Sequence, residues 1–284
     1  MKYLVVLWLL AAAPLQAQTL HLRSRQPNAL SGTAFMASLQ DTSLSLRERE
    51  RRMFREIRSG NVPDFYRQLV EVTDTATVAG ERHQIRYFVL PDFLALGSND
   101  DYVYCPMTCM LAQRVANRLK CRLVTRRVSD RLYQEAALRL RPQPIPPSDT
   151  MTSVTVLVQH NAMVQAQRDS SLRQAPLGQL VAGHKKDVVL SDRMVNARGN
   201  VRVVIYGWHR PNGKAIQPLY NGHRPDWVDY SHGIRLLQRR VWVDGKPTTV
   251  RRVLRSDWHP LLSDEGPLRH TRYPTSRRFY RDAR

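Results

Sequence analysis

The sequence predicts an α+β fold in which N-terminal helices are followed by a mainly antiparallel sheet in the C-terminal half. Apolar residues recur at helical spacing within 43–59, 106–119 and 125–140, whereas short runs rich in β-branched and aromatic residues dominate beyond residue 153. A hydrophobic fraction of 42% is sufficient for a packed core. Because the helices precede most of the strands rather than alternate with them, α+β is favoured over a doubly wound sheet.

The first residues are typical of a secretory signal peptide, expected at 1–17. Met1 and Lys2 give a positive start, an apolar run follows, and Ala17 stands before a polar residue where cleavage fits. Since this run is too short to span a bilayer, we expect a secreted or periplasmic protein that is not transmembrane in its mature form. Residues 18–42 show no sustained periodicity and are expected to be a flexible lead-in.

Residues 43–268 are expected to form a single α+β domain. Its first helix, at 43–59, is dense in arginine and glutamate and ends at Ser59-Gly60. Alternating residues at 70–77 and 83–90 predict a β-hairpin that turns near Gly80. The helices at 106–119 and from about 125 are expected to form a helical hairpin broken at residues 120–122.

A proline-rich connection at 141–147 is the best internal boundary, because its prolines exclude a helix interior. Beyond it we predict strands at 154–158, 187–190, 201–206, 234–242 and 248–254. The last two are joined by the turn sequence Val243-Asp244-Gly245-Lys246. Residues 269–284 are basic and aperiodic, and are expected to form a surface arm.

The charge is strongly positive, with 44 lysines and arginines against 24 acidic residues and a formal net charge of +20. Such a charge attracts polyanions, including nucleic acid, anionic glycans and membrane surfaces. The basic residues are scattered, so a general solvated basic surface is the simpler interpretation and a polyanion partner stays open. Three cysteines are too few for a disulfide-stapled scaffold.

Histidines cluster in the C-terminal half, where five of the nine fall between His160 and His232 among glycines, aspartates and aromatic residues. Imidazoles and carboxylates are the usual general acids and bases, and a lysine beside them stabilises negative charge. The candidate catalytic residues are His184, Lys185, Asp187, His209, His223, Asp229 and His232. Flat rings pack on apolar faces of sugars or peptides, and the candidate substrate-binding residues are His160, Trp208, Tyr220, Trp227 and Tyr230.

Zinc is one cofactor that this composition suggests, because zinc hydrolases use histidine and aspartate ligands and keep one position open for water. His223, Asp229 and His232 are the candidate ligands, although their spacing matches no standard zinc signature. A serine mechanism at Ser231 is less favoured, since the Gly-x-Ser-x-Gly pattern is absent.

Cys105 and Cys109 lie near the start of a predicted helix and precede His209, His223 and His232. In this order of elements the chain resembles papain-like and NlpC/P60-like cysteine peptidases, which place a cysteine at a helix N-terminus and a histidine on later strands. The resemblance is limited to element order, and the residues around the cysteines reproduce no family motif. It implies an alternative function as a cysteine peptidase.

The sequence therefore predicts a secreted hydrolase of an extracellular polymer, either a cell-wall or other glycan or an envelope peptide, with a His/Asp site. The alternative from another class is a non-catalytic basic protein that binds anionic glycan, nucleic acid or a membrane surface.

Overall fold

A computed structural model of the chain describes residues 18–280. The expected signal peptide at 1–17 and the last residues of the expected arm lie outside this range. Within the described residues, no helix combines the length and the apolar character needed to cross a membrane. The structure has the predicted α+β architecture, with a mainly antiparallel sheet in the C-terminal half.

The helices of the described region are α1 (Gly32–Ala37), α2 (Leu46–Ser59), α3 (Cys109–Arg118), α4 (Arg126–Glu135), α5 (Val154–Ser170) and α6 (Val250–Leu254). Local sequence signals set their ends. At the start of α2, Ser45 and Glu48 form a reciprocal capping box, and Gly60 ends the helix in the left-handed conformation that glycine adopts readily. Thr125 caps α4 by accepting a hydrogen bond from the amide of Val128.

The strands are β1 (Val70–Val78), β2 (Glu81–Val89), β3 (Ala95–Gly97), β4 (Tyr102–Tyr104), β5 (Cys121–Leu123), β6 (Leu138–Arg139), β7 (Val181–Ala182), β8 (Lys186–Val188), β9 (Ile205–His209), β10 (Ala215–Tyr220), β11 (His232–Gly233), β12 (Leu236–Gln238), β13 (Arg240–Val243) and β14 (Lys246–Thr249). The largest sheet has the order β14-β13-β2-β12-β5, with β1 also paired to β2, and it is antiparallel throughout. The second sheet has the order β10-β9-β8-β11.

The predicted hairpin of β1 and β2 is confirmed. The two strands pair without a break from Val70 opposite Val89 to Val78 opposite Glu81. Ala79 and Gly80 both have positive φ, as a two-residue hairpin turn of the primed type requires.

The strand predicted at 154–158 is wrong, because these residues begin α5. Ser153 caps this helix by accepting a hydrogen bond from the amide of Val156. The run of valines suggested β-structure, but the buried His160, Val164 and Arg168 follow at four-residue spacing, which places one face of a helix against the core.

The expected hairpin of α3 and α4 contains a strand between its helices. Residues 121–123 form β5, which pairs with β12 at the edge of the largest sheet. Cys121 and Leu123 are buried and Arg122 between them is partly exposed, as alternation along a strand requires.

The described ends of the chain pack against the core, in contrast to the flexible lead-in and surface arm that the sequence suggested. Leu20, Phe35 and Leu39 are buried within 18–42. In the C-terminal segment, Tyr273 is buried and its hydroxyl donates to the carbonyl of Val189 at 2.7 Å. Phe35 and Leu39 are four residues apart, but α1 has only six residues, too few for a helical period to be read from the sequence.

Candidate functional site

Parallel pairing of β8 and β11 brings two of the candidate segments together. Lys186 lies opposite His232, and the amide of Lys186 donates to the carbonyl of Ser231 at 2.8 Å. Consequently His184 and Lys185, which precede β8, come next to residues 229–232, although some 45 positions separate the two segments in the chain. This strand pairing brings together imidazoles and carboxylates that lie in separate segments of the sequence.

Lys185 lies at the centre of the resulting group. Its Nζ is 2.9 Å from Nδ1 of His160, which projects from α5, and donates to the carbonyl of Tyr230 at 2.6 Å. The residue is 2% exposed, and its ammonium has no carboxylate within 4 Å among residues 18–280. Burial therefore lowers the pKa of Lys185 to about 7, despite the opposing charge of Asp229.

Asp229 and His232 lie beside this lysine. The hydroxyl and the amide of Ser231 donate to Oδ1 of Asp229 at 2.5 and 2.8 Å, and Oδ2 is 4.0 Å from Nε2 of His232. Burial opposes ionisation of Asp229, but His232, Lys186 and the Ser231 hydrogen bonds outweigh it and lower its pKa to about 2. Burial lowers the pKa of His232 to about 4, so its ring is neutral at neutral pH.

Asp92 is a member of the site that sequence reasoning missed. Its Oδ1 is 3.2 Å from Nε2 of His184, and the hydroxyl of Tyr104 donates to Oδ2 at 2.8 Å. Burial opposes ionisation of Asp92, but His184 and Arg235 outweigh it and lower the pKa of this carboxyl. The residue follows Pro91 just after β2 and carries no signal that separates it from an ordinary loop aspartate.

We call the group formed by these ionisable residues the Lys185 cluster: Asp92, His160, His184, Lys185, Asp229 and His232. Three of its buried ring nitrogens lack a hydrogen-bond partner within the described region, namely Nδ1 of His184 and both nitrogens of His232. Buried polar atoms are nearly always satisfied by protein or water. An excess of unsatisfied nitrogens in one place is typical of a site that holds water or a ligand.

A cleft of about 540 Å³ opens beside the cluster. His223 and Trp227 line it and stack, with ring centroids 4.9 Å apart and planes 16° apart. Val228, which precedes Asp229 in the chain, lies in the cleft wall. Burial lowers the pKa of His223, and the charges of Asp229 and Lys186 act on the same ring, so the cleft and the cluster are electrostatic neighbours.

Two candidate catalytic residues lie apart from both the Lys185 cluster and the cleft beside it. Asp187 lies against α4 instead, where the hydroxyl of Ser129 donates to its Oδ2 at 2.5 Å. His209 pairs with Asp130, with Nε2 and Oδ1 2.9 Å apart, and stacks on Tyr133. A separate cleft of about 530 Å³ adjoins this His209–Asp130 pair.

The candidate substrate-binding residues also divide. Trp227 and Tyr220 are exposed, and the Tyr220 ring meets the His223 ring edge-on at 5.2 Å. Tyr230 is buried against His160, with ring centroids 4.7 Å apart. Trp208 is buried as well, donates from its indole nitrogen to the carbonyl of His184 at 3.1 Å, and has a φ of 58°, which is rare for a bulky residue.

The metal candidates do not form a recognisable ligand set. Among residues 18–280, no group of three or more histidine, cysteine, aspartate or glutamate side chains is arranged to hold a metal ion. Of the three zinc candidates, Asp229 and His232 have Oδ2 and Nε2 4.0 Å apart, and His223 belongs to the adjoining cleft.

The cysteines lie in environments that disfavour a thiolate. Cys109 is the first residue of α3, as a helix N-terminal nucleophile would be, but its Sγ is buried and donates to the carbonyl of Pro225 at 3.4 Å. Burial raises the pKa of Cys109 far above its usual range and that of Cys105 to about 12. Neither thiol forms a hydrogen bond with a histidine in the described structure.

Comparisons of this chain with protein-family models, with curated proteins and with solved structures find no match in any of the three.

Proposed function

We propose that the protein is an exported hydrolase of an extracellular polymer, a glycan or an envelope peptide, and that the Lys185 cluster carries its acid–base chemistry. The observation that supports this most is the burial of Lys185 beside His184 and His232, which have three ring nitrogens without a hydrogen-bond partner in the described region. Burying an amine and leaving imidazole nitrogens unsatisfied both lower stability. Such arrangements occur where a pKa is set for proton transfer.

Lys185 is the general base in this proposal. A neutral amine has two N–H groups, and the two neighbours of Nζ, the His160 ring and the Tyr230 carbonyl, accept both of them. Its lone pair is then left to take a proton from an attacking water. A pKa of about 7 suits this role at neutral pH, because the amine is substantially free and still basic.

Asp229 and His232 complete the proposed chemistry. Asp229 is ionised and held by Ser231, so it stabilises positive charge that develops on His232 or Lys185 during proton transfer. His232 is neutral and has both ring nitrogens available, which allows it to accept or return a proton at the leaving group.

The stacked rings of His223 and Trp227 form the proposed platform for the polymer. Their parallel planes offer a flat apolar face to a sugar ring or a peptide side chain. Because the Lys185 cluster is buried, a bound chain reaches it in this proposal only when the loop 222–229 shifts outward.

The test is turnover of dye-labelled peptidoglycan and of dye-labelled neutral and acidic polysaccharides. We expect the native protein to release dye from at least one of them, with a rate that rises through about pH 7. Lys185→Met and Asp229→Asn are expected to lower that rate by about 100-fold or more.

The matched control is His83→Ala, which removes an imidazole of β2 that pairs with Asp244 in the turn between β13 and β14, with Nδ1 and Oδ2 2.7 Å apart. This variant is expected to retain native turnover. Circular dichroism establishes that the Lys185 and Asp229 variants are folded. Folded variants with native rates, or a native protein inactive on every polymer of the panel, would rule out the proposed function.

A further inference from the structure

A second concentration of ionisable side chains lies on residues that the proposed hydrolase does not use. Five arginines line a pocket of about 310 Å³ together with one histidine and one threonine, and no acidic residue takes part in its lining. We call it the basic pocket: Arg122, Arg251, Arg255, Arg269, His270, Thr271 and Arg272.

Three separate parts of the fold build the basic pocket. Arg122 is the central residue of β5, Arg251 belongs to α6, and Arg255 is the residue that caps the end of α6. The segment 269–272 follows Leu268, whose amide donates to the carbonyl of Leu254 at 2.7 Å and so holds the segment against α6. Rigid secondary structure therefore positions the charges from two sides.

Most of this charge is not neutralised within the protein. Arg269 and His270 pair with Asp192, at 3.6 and 3.4 Å respectively. The other four arginines have no carboxylate within 4 Å in the described part of the chain. Like charges held together at an incompletely neutralised site repel one another and lower stability.

Arg122 shows this imbalance most clearly. Its side chain is only partly exposed, and its Nε is buried without a hydrogen-bond partner among residues 18–280. Burial lowers the pKa of Arg122, and the charges of Arg239, Arg272 and Arg251 lower it further. An anion in the pocket would supply the missing negative charge.

We propose that the basic pocket binds a small multivalent oxyanion, one that carries two or more phosphate or sulfate groups. Guanidinium groups bind the oxygens of such groups in pairs of parallel hydrogen bonds. The volume of about 310 Å³ is at the small end of ligand sites, which fits a compact ligand rather than a long chain within the pocket itself.

Isothermal titration calorimetry tests this with two probes, sodium pyrophosphate and a disulfated disaccharide, which distinguish a phosphorylated from a sulfated ligand. We expect one-to-one binding of at least one probe at low salt. The double variant Arg251→Gln/Arg255→Gln is expected to weaken that binding by about tenfold or more. Both arginines are exposed, so folding is not at risk.

The control is Arg51→Gln/Arg55→Gln. It removes two exposed arginines at the same four-residue spacing from α2, which does not line the basic pocket. Less than about a twofold change is expected for it. An equal loss in the two double variants would show a general basic surface and overturn the proposal, as would the absence of saturable binding of both probes.

Discussion

Replacing Lys185 by methionine removes a charge that the fold holds inside the protein while keeping a side chain of similar length. The amine is buried, and its pKa falls from the usual 10.5 to about 7. Between these two values the unfolded chain binds a proton that the folded protein does not. The free energy of unfolding of the native protein therefore rises with pH across this window. The cost of burying the charged amine is fully present below about pH 7.

The size of the penalty follows from the two pKa values. Their difference, at about 1.36 kcal/mol per pKa unit, corresponds to about 5 kcal/mol when the amine is fully protonated in both states. The methionine variant buries no charge and so does not have this cost. It does leave Nδ1 of His160 and the carbonyl of Tyr230 without their hydrogen-bond donor, which lowers stability by about 1–3 kcal/mol for each lost bond. Lys185→Met is therefore expected to be about as stable as the native protein at pH 6, or slightly more stable.

The decisive quantity is the difference in free energy of unfolding between the native protein and Lys185→Met, followed as a function of pH. The two lost hydrogen bonds contribute equally at every pH, whereas the charge penalty of the native protein shrinks. Between about pH 6 and about pH 10, the free energy of unfolding of the native protein should rise by about 4 kcal/mol relative to Lys185→Met. Urea unfolding at several pH values measures it.

Lys214→Met is the control, because Lys214 is exposed at a turn and its variant should follow the native pH profile. Parallel profiles for the native protein and Lys185→Met would refute the reasoning, since they would mean that Lys185 keeps an ordinary pKa in the folded state. The proposed role as a base near neutral pH would then lose its physical support as well.

Two further predictions concern the surroundings of the site. Burial raises the pKa of all three cysteine thiols. A thiol-specific reagent should therefore leave them unlabelled in the folded protein and label all three in urea. Rapid labelling of Cys109 without denaturant would contradict this and strengthen the cysteine-peptidase alternative. Gly233→Ala should destabilise the protein by about 1–3 kcal/mol, because its new Cβ would lie 2.5 Å from the Phe93 ring and 2.7 Å from Cβ of Lys185. The control is Gly199→Ala, whose Cβ meets no atom within 4 Å. Its left-handed backbone should cost only about 1 kcal/mol of the free energy of unfolding. An equal loss of stability in the two variants, measured by urea unfolding, would argue against the clash at Gly233.

Where the signal is local, sequence reasoning found the right element. The helix α2 has a capping box at one end and a glycine at the other, and the β1–β2 hairpin has a turn that only a few residue types adopt. At Val154 the local signals conflict. The valine-rich run 154–158 favours a strand, whereas the core-facing spacing of His160, Val164 and Arg168, which identifies the helix, lies beyond that run.

The sequence by itself determined the basic charge, the α+β class and a list of residues able to transfer protons. The tertiary structure decided which of them meet. Parallel pairing of β8 with β11 joins His184 and Lys185 to Asp229 and His232, whereas Asp187 is held by Ser129 of α4. Pairing between strands so distant in the chain depends on how the whole core packs, and no local pattern encodes it.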